Sequence, residues 1–461
     1  MQNSKSQHAK FIFACKHILS VDRLNNYLFQ SINNSQLIVF RIFFGLLLFL
    51  ETAGAIITGW VDKTLIEPQI TFPFFGLDFI QPLPGQGMYF YFGVMAVLGI
   101  FIMIGWNYRM CIIAFTLMWT GVYLMQKSSY NNHYYLLILL GILMSLVPAN
   151  ASHSFDARKK GIQSSVCPRW CILVFVGLIG IVYTYGSIAK MHHDWIHGVS
   201  VRALLAVRSN TPLISGLFDK DWFIFFVSYT AILFDLFITP LLLWKKTRKW
   251  AFVASLGFHL FNSLVFQIGI FPYLSIAFAL FFFPPETIGR ILLRQQHKTL
   301  KSPFTFTIRK WVLPFFIAFF IIQLVLPIRH HFIRGDVLWT EEGHRHSWRM
   351  MLRIRSAQLI LRCKSKSQDK EWNAPTSSDL TPRQRSRIAA RPDMLYTYIQ
   401  FLKEKYKKEG INDLEVYAIL SKLSVNSKPS RTFIDPNTDL ASVNWNYFGH
   451  NEWITCYSDT N

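Results

Sequence analysis

Charged residues are scarce in this chain, and acidic residues are scarcer than basic ones. Only 16% of the 461 residues are charged, with 26 aspartates and glutamates against 47 lysines and arginines. Hydrophobic residues make up 52% of the chain. This composition is typical of a membrane protein with several spans and an attached soluble part. The formal charge of +21 does not indicate a nucleic-acid partner, because the basic residues stand mostly in short loops beside apolar runs.

Metal-binding cysteine patterns and the common catalytic motifs are also lacking. The six cysteines form no CxxC pair and no zinc-type spacing, so no metal site is predicted. There is no Gly-rich phosphate loop, no Ser-His-Asp set and no HExxH motif. Cys363 and Cys456 would be able to pair in an oxidising compartment, but their spacing does not demand it. The apolar piece FIFAC, residues 11–15, is too short for a secretory signal, and no cleaved signal is predicted.

Apolar runs long enough to cross a bilayer, roughly 17 to 25 residues each, occupy most of residues 36–328. We therefore predict an α-helical polytopic membrane protein with about nine spans. Several of the runs are short, and the pair around Phe271 and Pro272 is a candidate for one broken element. The predicted spans are residues 36–60, 88–106, 109–125, 133–147, 169–190, 222–243, 250–266, 270–283 and 311–326.

The distribution of lysine and arginine predicts the orientation of these spans. Basic residues cluster at 156–160, 245–249 and 290–310, and Arg109 stands in the short loop 107–109. Cytoplasmic loops carry such an excess. The N-terminal segment, residues 1–35, is therefore expected in the cytoplasm. An odd number of spans places residues 329–461 outside, in the periplasm if the membrane is a bacterial inner membrane and in the lumen if it is the endoplasmic reticulum. Residues 36–328 form the predicted transmembrane catalytic domain.

After the last apolar run the composition becomes that of a soluble domain. Residues 351–361 and 414–424 are predicted strands, and residues 393–408 have helical periodicity. A segment rich in serine and charge, residues 364–382, is predicted to be a mobile loop. We expect a mostly-β domain with one clear helix.

Lys190 ends the fifth predicted span and is followed by a string of polar residues, MHHDWIHG. One interpretation is an interfacial anchor made by lysine and tryptophan. The other is a general base, since an amine that is buried away from water loses its charge more easily and then accepts a proton. The histidine spacing fits no standard metal site.

Asn132 and His133 open the fourth predicted span, which the charge pattern places at the same membrane depth as Lys190. They are candidates for capping the helix and joining an aromatic belt. As a functional group, His133 would hydrogen-bond a developing oxyanion. Because spans four and five are consecutive and antiparallel, contact between His133 and Lys190 is expected.

Three further polar residues fall inside predicted spans. His259 and Asn262 are three residues apart, on one helical face, and polar groups at that depth face protein or a cavity. An interhelical hydrogen bond is the alternative to a binding role. Asp235 belongs to the same class, but its expected position is nearer the cytoplasmic half, and the sequence indicates no partner for it.

The segment 339–351, WTEEGHRHSWRMM, directly follows the last span and is dense in groups that hold a carboxylate. Arg349 is the strongest candidate for binding a substrate carboxylate, with Trp348 beside it. The alternative is a solvated connection with a buried tryptophan.

Taken together, several motifs resemble the vitamin K-dependent gamma-glutamyl carboxylases. They are VFRIFFG at 39–45, NNHYYL at 131–136, the Lys190-x3-Asp194-Trp195 stretch, FHLFNS at 258–263 and SWRMM at 347–351. Further similarity runs through residues 392–395 and 433–436. The resemblance covers nearly the whole chain in order, although Ala189 stands where the animal enzymes carry a second lysine.

The resemblance implies an enzyme that uses reduced vitamin K, phylloquinol or menaquinol, with oxygen and carbon dioxide as co-substrates. In that family a lysine deprotonates the hydroquinone, oxygen adds, and the resulting alkoxide removes a γ-proton from a peptide glutamate, which then takes up carbon dioxide. Lys190 matches the base and His133 the assisting histidine. We expect Asn132, His259 and Asn262 to bind the cofactor. The expected partners are the bilayer and a glutamate-containing protein or peptide.

A second hypothesis comes from a different class of protein. A membrane protein that binds a quinone or lipid, or that carries a solute, would also place His259, Asn262 and Asp235 along an intramembrane pathway. The pairing of Lys190 with His133 at one depth favours the carboxylase.

Overall fold

The computed structural model describes residues 21–161, 164–208, 215–294, 307–426 and 428–457. The predictions for the FIFAC piece and for most of the N-terminal segment lie outside these residues. Eighteen α-helices and six strands follow one another along the described chain. The helices are α1 Val21–Leu28, α2 Ser35–Ile57, α3 Gly87–Ile104, α4 Tyr108–Met125, α5 Asn132–Leu146, α6 Phe155–Lys160, α7 Trp170–Lys190, α8 His193–Ile196, α9 Val199–Ala206, α10 Asp221–Leu243, α11 Arg248–Phe266, α12 Phe271–Phe278, α13 Pro285–Leu292, α14 Val312–Val325, α15 Val337–Thr340, α16 Thr376–Asp379, α17 Pro382–Ala390 and α18 Pro392–Lys408.

Six of the described helical segments are long and apolar enough to cross a membrane. Five of them are α2, α3, α4, α7 and α10, and the sixth is α14 with the 3-10 turn that continues it to Phe332. The count of nine spans is not confirmed. Helix α5 and the α12 segment are apolar but shorter, and α11 begins with Arg248 and Lys249 and also carries His259 and Asn262.

The membrane helices pack around one aromatic and aliphatic core. Phe40 of α2 and Phe175 of α7 both contact the ring of Phe281, at centroid distances of 4.8 and 4.9 Å. Helices α2 and α3 approach so closely that a side chain at Gly45 would lie 2.3 Å from the Met103 backbone nitrogen. Small residues at such crossings let membrane helices pack without a polar contact. This packing fixes the helices that carry the polar groups described below.

The C-terminal domain contains a four-stranded antiparallel sheet in the order β4-β3-β5-β6. A short two-stranded sheet, β1 Ser31–Asn33 with β2 Val166–Pro168, lies in the membrane-domain part of the chain. The long strands β3 and β5 pair along their length, with a register shift between Ile360 and Leu361. The C-terminal strands are β3 Arg355–Ser365, β4 Lys370–Asn373, β5 Leu414–Val425 and β6 Arg431–Thr432.

Three sequence predictions for this domain need correction. The first strand begins at Arg355 rather than at residue 351. Met351 has a left-handed backbone with a φ of 52°, which an extended strand does not accommodate. The loop predicted at 364–382 contains the end of β3, strand β4 and helix α16. The domain is not mostly β, since α17 and α18, nine and seventeen residues long, pack with the sheet around a shared core. The predicted helix at 393–408 is confirmed as α18.

Buried polar contacts dock the C-terminal domain onto the membrane helices at the Lys190 end. Lys127, which follows α4, donates a 2.7 Å hydrogen bond to Thr397 Oγ1, and Asp194 accepts hydrogen bonds from Asn426 and Lys428. The loop between α2 and α3 contributes Phe72 to the core of the C-terminal domain. The domain therefore covers the loops that join the spans at this end. Within the described residues, no disulfide joins Cys363 to Cys456.

Candidate active site

Lys190 and Asp235 form a buried ion pair. Lys190 Nζ donates a 2.6 Å hydrogen bond to Asp235 Oδ2 and a 3.1 Å hydrogen bond to the Gly186 carbonyl. The side chains of the pair are 9% and 8% exposed. The sequence indicated no partner for Asp235, and the structure pairs it with Lys190. Because helical side chains point toward the helix N-terminus, the lysine reaches back over its last turn and meets Asp235 of α10.

Gly186 leaves the space in which this pair sits. A Cβ atom at residue 186 would lie 3.2 Å from Asp235 Oδ2 and 3.8 Å from Lys190 Nζ. Trp195 lies on another side of the amine, with its ring centroid 5.7 Å from Nζ. The indole is held by a 3.1 Å hydrogen bond from Nε1 to the Ser228 carbonyl. The amine is thus enclosed by backbone, carboxylate and aromatic groups and has little contact with water.

His133 occupies the first turn of α5, which begins with a side-chain cap. Asn131 Oδ1 accepts a 2.8 Å hydrogen bond from the Tyr134 amide, as N-cap asparagines do. The His133 ring stacks on Phe271, with centroids 4.2 Å apart. Among the described residues, His133 Nδ1 has no hydrogen-bond partner. A buried imidazole nitrogen without a partner is available to a ligand.

Asn132 connects the start of α5 to the segment that leads into the C-terminal sheet. Its Nδ2 donates a 3.1 Å hydrogen bond to the Arg349 carbonyl, and its Oδ1 accepts a 2.8 Å hydrogen bond from the Tyr130 hydroxyl. The three residues of the NNH motif, 131–133, therefore have different roles. Asn131 caps the helix, Asn132 holds the Arg349 backbone, and His133 faces a cavity.

One apolar cavity of about 370 Å³ brings Lys190, Asp235 and His133 together. His259 and Asn262 also line it, and His259 Nε2 lies 2.9 Å from the Tyr183 hydroxyl. His259 Nδ1 has no hydrogen-bond partner in the described structure. Most of the remaining wall is apolar, and Met350 and Met351 close the end under the C-terminal domain. The further lining residues include Tyr183, Trp195, Val201, Phe226, Ala231, Phe234, Phe258, Phe261, Phe266, Ile268 and Phe271.

A second cavity, of about 510 Å³, adjoins the first and is strongly basic. The two share His133, Met350 and Met351 as walls, so both cavities border the same imidazole. Glu341 is a lining carboxylate that forms ion pairs with Arg353 and Arg355. Six arginines line this arginine cavity: Arg349, Arg353, Arg355, Arg383, Arg387 and Arg391.

The arginine cavity holds more positive charge than its own groups neutralise. Burial and, next, the charge of Arg353 lower the pKa of Arg349 to about 10. Burial and then Arg387 lower the pKa of Arg391 to about 9. Among the described residues, Arg349 Nε and Arg355 Nε and Nη2 are buried donors with no acceptor. Unpaired, charge-assisted donors in a cavity favour binding of a carboxylate.

Trp348 lies apart from both cavities. Its side chain is fully buried in the core of the membrane domain, and its ring lies 5.3 Å from that of Tyr135. Arg349, the next residue, does line the arginine cavity. In the structure described, the two residues predicted to bind substrate therefore face different surroundings, and Trp348 is a packing residue.

Several residues of these cavities were not singled out from the sequence. Arg383, Arg387 and Arg391 recur every four residues, a spacing that places them on one side of α17 and its end, and this spacing was a usable signal. The contribution of Met350 and Met351 had no comparable signal. Their position depends on how the segment after α14 folds back over α5 and α7.

Comparison with known protein families covers both parts of the chain. Residues 29–286 match the HTTM domain model. Residues 308–460 match the model of the vitamin K-dependent gamma-carboxylase lumenal domain. No solved structure matches the chain. Both domain models occur here in one chain, and the protein belongs to the vitamin K-dependent gamma-carboxylase family.

Proposed function

We propose that this protein carboxylates the γ-carbon of peptide or protein glutamates and couples this reaction to epoxidation of reduced vitamin K. The observation that supports the proposal most directly is the shared wall of two cavities. An apolar cavity holds Lys190 and Asp235, an arginine cavity holds unpaired donors, and His133 borders both. A lipid quinol and an anionic peptide side chain would thus meet at one place.

The residues of the apolar cavity fit a naphthohydroquinone. The walls are mainly aromatic and aliphatic, as in most small-molecule sites, and the polar groups are few. His133 Nδ1 and His259 Nδ1 are buried nitrogens without partners in the described residues, and Asn262 lines the same space. These groups are suited to hold the two ring oxygens of a hydroquinone.

Lys190 has the position of the general base. To act as a base, Lys190 would first pass a proton along the 2.6 Å hydrogen bond to Asp235 Oδ2. The neutral amine would then take the proton of a hydroquinone hydroxyl and become an ammonium again. His133 would donate a hydrogen bond to the oxygen that becomes negative. The cofactor, when bound, supplies with oxygen the strong base that removes the γ-proton of glutamate. The apolar walls exclude water from that reaction.

The arginine cavity would hold the side-chain carboxylate of the glutamate. Guanidinium groups bind carboxylates through paired, charge-assisted hydrogen bonds, and Arg349 and Arg355 have donors free for this. The γ-carbon would then point toward Met350, Met351 and His133, the boundary with the apolar cavity. This arrangement also disfavours an uncharged glutamine, which would leave the arginines without a counter-charge.

The charge pattern supports the topology that we propose for this protein. We place residues 1–35 in the cytoplasm, residues 36–328 in the membrane as the catalytic domain, and residues 329–461 outside. The membrane is a bacterial inner membrane in this proposal, with the endoplasmic reticulum as the alternative. A secreted protein or peptide would reach the arginine cavity from that outer side.

The test uses purified protein in detergent with hydroquinone, labelled bicarbonate and a glutamate-containing peptide. Wild type is expected to incorporate label and to produce quinone epoxide. Lys190→Ala is expected to lose about 10²-fold or more of both activities, the contribution of a general base. Lys249→Ala changes an exposed lysine at the opposite end of the bundle and serves as the matched control. Epoxide formation at the wild-type rate in Lys190→Ala would show that Lys190 is not the base.

A wild-type protein that binds the quinone but incorporates no label would support the alternative, a non-carboxylating quinone- or lipid-binding protein. Solute movement in proteoliposomes without added quinone would support a transporter. Both outcomes contradict the carboxylase proposal.

A further inference from the structure

Cys456, His450 and Glu342 form a chain of contacts in the C-terminal domain. His450 Nδ1 lies 2.6 Å from Glu342 Oε2, and His450 Nε2 lies 3.8 Å from Cys456 Sγ. All three side chains are largely buried. In the part of the chain that the structure describes, none of the three lines the apolar cavity or the arginine cavity. A nucleophile, a base and a group that orients the base thus follow one another, which is the order found in nucleophilic sites.

The carboxylate of Glu342 fixes the tautomer of the His450 imidazole. Its Oε1 accepts hydrogen bonds from the backbone amide and the side-chain amide of Asn451, at 2.9 and 2.8 Å. Because an ionised carboxylate only accepts hydrogen bonds, the proton of the imidazole lies on Nδ1, and Nε2 presents its lone pair to the sulfur. An imidazole in this orientation can take the proton of the thiol and leave a thiolate, which is the nucleophilic form of cysteine.

Gly335 leaves the space that the sulfur of Cys456 occupies. A Cβ atom at residue 335 would lie 3.1 Å from Cys456 Sγ, and the φ of 93° at this residue is one that glycine favours. Trp339 Nε1 donates a 2.7 Å hydrogen bond to the Thr455 carbonyl, which fixes the backbone next to the cysteine. Gly335 is exposed, whereas Cys456 is 5% exposed. The sulfur therefore lies just below the surface, where only a small reagent reaches it.

The other charged groups near the thiol carry both signs. Arg334 and Glu452 form an exposed pair at 3.6 Å, and solvent screens such a pair. Glu341 is buried, and Arg353 and Arg355 neutralise its charge. His450 is thus the buried base that contacts the sulfur. The titratable side chains on the segments around the three residues are those of Arg334, Asp336, Glu341, Arg431, Glu452 and Tyr457.

We propose that Cys456 is a modification site, a thiol that His450 and Glu342 activate for oxidation by small hydroperoxides. The thiol gives its proton to His450 Nε2, and the thiolate sulfur attacks the terminal oxygen of the hydroperoxide. A sulfur–oxygen bond forms, the oxygen–oxygen bond breaks, and the leaving oxygen takes the proton from His450. The cysteine is oxidised to a sulfenic acid, and the hydroperoxide is reduced to an alcohol or, for hydrogen peroxide, to water.

Two features favour a hydroperoxide over a larger oxidant such as a disulfide. The leaving oxygen of a hydroperoxide needs a proton, and the imidazolium that forms at His450 holds one within reach. The limited exposure of Cys456 excludes bulky reagents but admits a molecule of the size of hydrogen peroxide. The reaction uses none of the residues assigned to carboxylation, so its test is independent of the proposed function.

The test treats the full-length protein in detergent with hydrogen peroxide for short times, at pH 7 and at pH 9.5. Catalase ends the reaction, and the protein is then unfolded in dimedone, so that the trap for sulfenic acid needs no access to the folded state. Mass spectrometry quantifies the label on each cysteine. A thiol without a base has a pKa of about 8.5, so its rate falls roughly 30-fold between the two pH values. The rate at Cys456 is expected to stay within about threefold, because His450 supplies the base.

Glu342→Gln tests the orienting group. The amide would donate to His450 Nδ1 and move the imidazole proton to Nε2, where it can no longer accept the proton of the thiol. The rate at Cys456 is expected to fall about tenfold at pH 7 and to stay within about threefold of wild type at pH 9.5, where the thiol ionises without help. His450→Gln is expected to behave in the same way. Glu452→Gln changes an exposed carboxylate two residues from His450 and should keep the wild-type rates.

Cys363 reports whether each variant is folded. Burial raises the pKa of its thiol to about 12, so its label should stay low until the domain unfolds. The wild-type profile decides the question even for a variant that does not fold. The inference is overturned if wild-type Cys456 takes no label, or if its rate falls about 30-fold from pH 9.5 to pH 7. It is also overturned if the folded variants keep the wild-type rate at pH 7, or lose rate equally at both pH values, since the latter result would indicate a change in access alone.

Discussion

Lys190 Nζ and Asp235 Oδ2 are 2.6 Å apart in a cavity whose walls are otherwise mainly apolar. Two opposite charges that are buried together cost far less than either charge alone. The pair thus allows an amine to reside in an apolar cavity, the proposed quinol site, without carrying an uncompensated charge into the membrane domain. It also makes each residue depend on the other for stability.

Removal of one member of this pair is expected to destabilise the protein more than removal of both. Lys190→Met and Asp235→Leu should each cost about 3–5 kcal/mol, the penalty for a buried charge that has lost its partner. The double variant should be more stable than either single one, because it leaves no charge behind. Unfolding of the purified proteins in detergent measures all four members of the cycle. If the loss of unfolding free energy in the double variant equals the sum of the losses in the two single variants, the two side chains are not coupled.

Gly186→Ala is expected to lower carboxylation about tenfold while the protein stays folded. The new methyl group would lie 3.2 Å from Asp235 Oδ2, so the carboxylate must move by a few tenths of an ångström and the amine with it. Catalysis is sensitive to such displacements of a reacting group. Gly180→Ala in the same helix is the control, since its nearest atom, Thr239 Cγ2, lies at an ordinary 3.4 Å. Equal activity of the two variants would contradict the prediction.

The hydropathy pattern predicted where the helices of the membrane domain lie. It did not predict how many of these helices are long enough to cross a membrane. All nine predicted runs are mainly helical, because an apolar run of that length has no other way to satisfy its backbone in lipid. Three of them are shorter or more polar than a full span, and a sequence window does not decide whether such helices cross completely. Length and composition identify six helices as candidate membrane spans within the described residues.

The sequence predicted which residues line the site, but it did not predict how these residues contact one another. Lys190, His133, His259 and Asn262 line one cavity. Direct contact between the first two was predicted because their spans are consecutive, and it stays a prediction. The partner of Asp235 was not predictable, because the flexible lysine reaches back over its last helical turn to meet it. In the C-terminal domain, strand Leu414–Val425 follows its pattern closely, but the hairpin of β3 and β4 is held by cross-strand pairs that the sequence alone does not reveal.

Arg349→Gln is expected to raise the KM for a glutamate peptide by about tenfold or more, with little change in the KM for hydroquinone. A hydrogen bond to a charged group contributes about 1.5–3 kcal/mol, and Arg349 Nε is free to make one. Steady-state kinetics with each substrate varied in turn provides the comparison. Arg385→Gln is the control, because Arg385 lies on α17 with Arg383 and Arg387 but does not line the cavity. A rise in the KM for hydroquinone alone would contradict the proposal that Arg349 binds the glutamate peptide.

The ion pair of Arg345 with Asp393 lies within the C-terminal domain and is expected to make the stability of this domain sensitive to acid. Arg345 Nη2 donates a 2.6 Å hydrogen bond to Asp393 Oδ2, and Arg345 Nη1 donates to the Lys127 carbonyl at 3.2 Å. Burial alone would raise the pKa of the Asp393 carboxyl, but Arg345 and then Lys127 lower that pKa below its ordinary value. The folded state therefore binds the proton of Asp393 less tightly than the unfolded state does.

A carboxyl whose pKa is lower in the folded state stabilises the fold fully at pH values above the unfolded pKa, about 3.9. This contribution is lost as the pH falls through the folded value. The C-terminal domain of the wild type should thus lose stability below about pH 4, seen as faster proteolysis of this domain and a lower unfolding temperature. Asp393→Asn should be destabilised at pH 7 by about 3–5 kcal/mol and should have a weaker acid dependence.

Glu452→Gln, which removes a carboxylate from an exposed pair with Arg334, should change stability by less than about 1 kcal/mol and keep the wild-type acid dependence. An unchanged acid dependence in Asp393→Asn would assign the acid effect to other carboxyl groups.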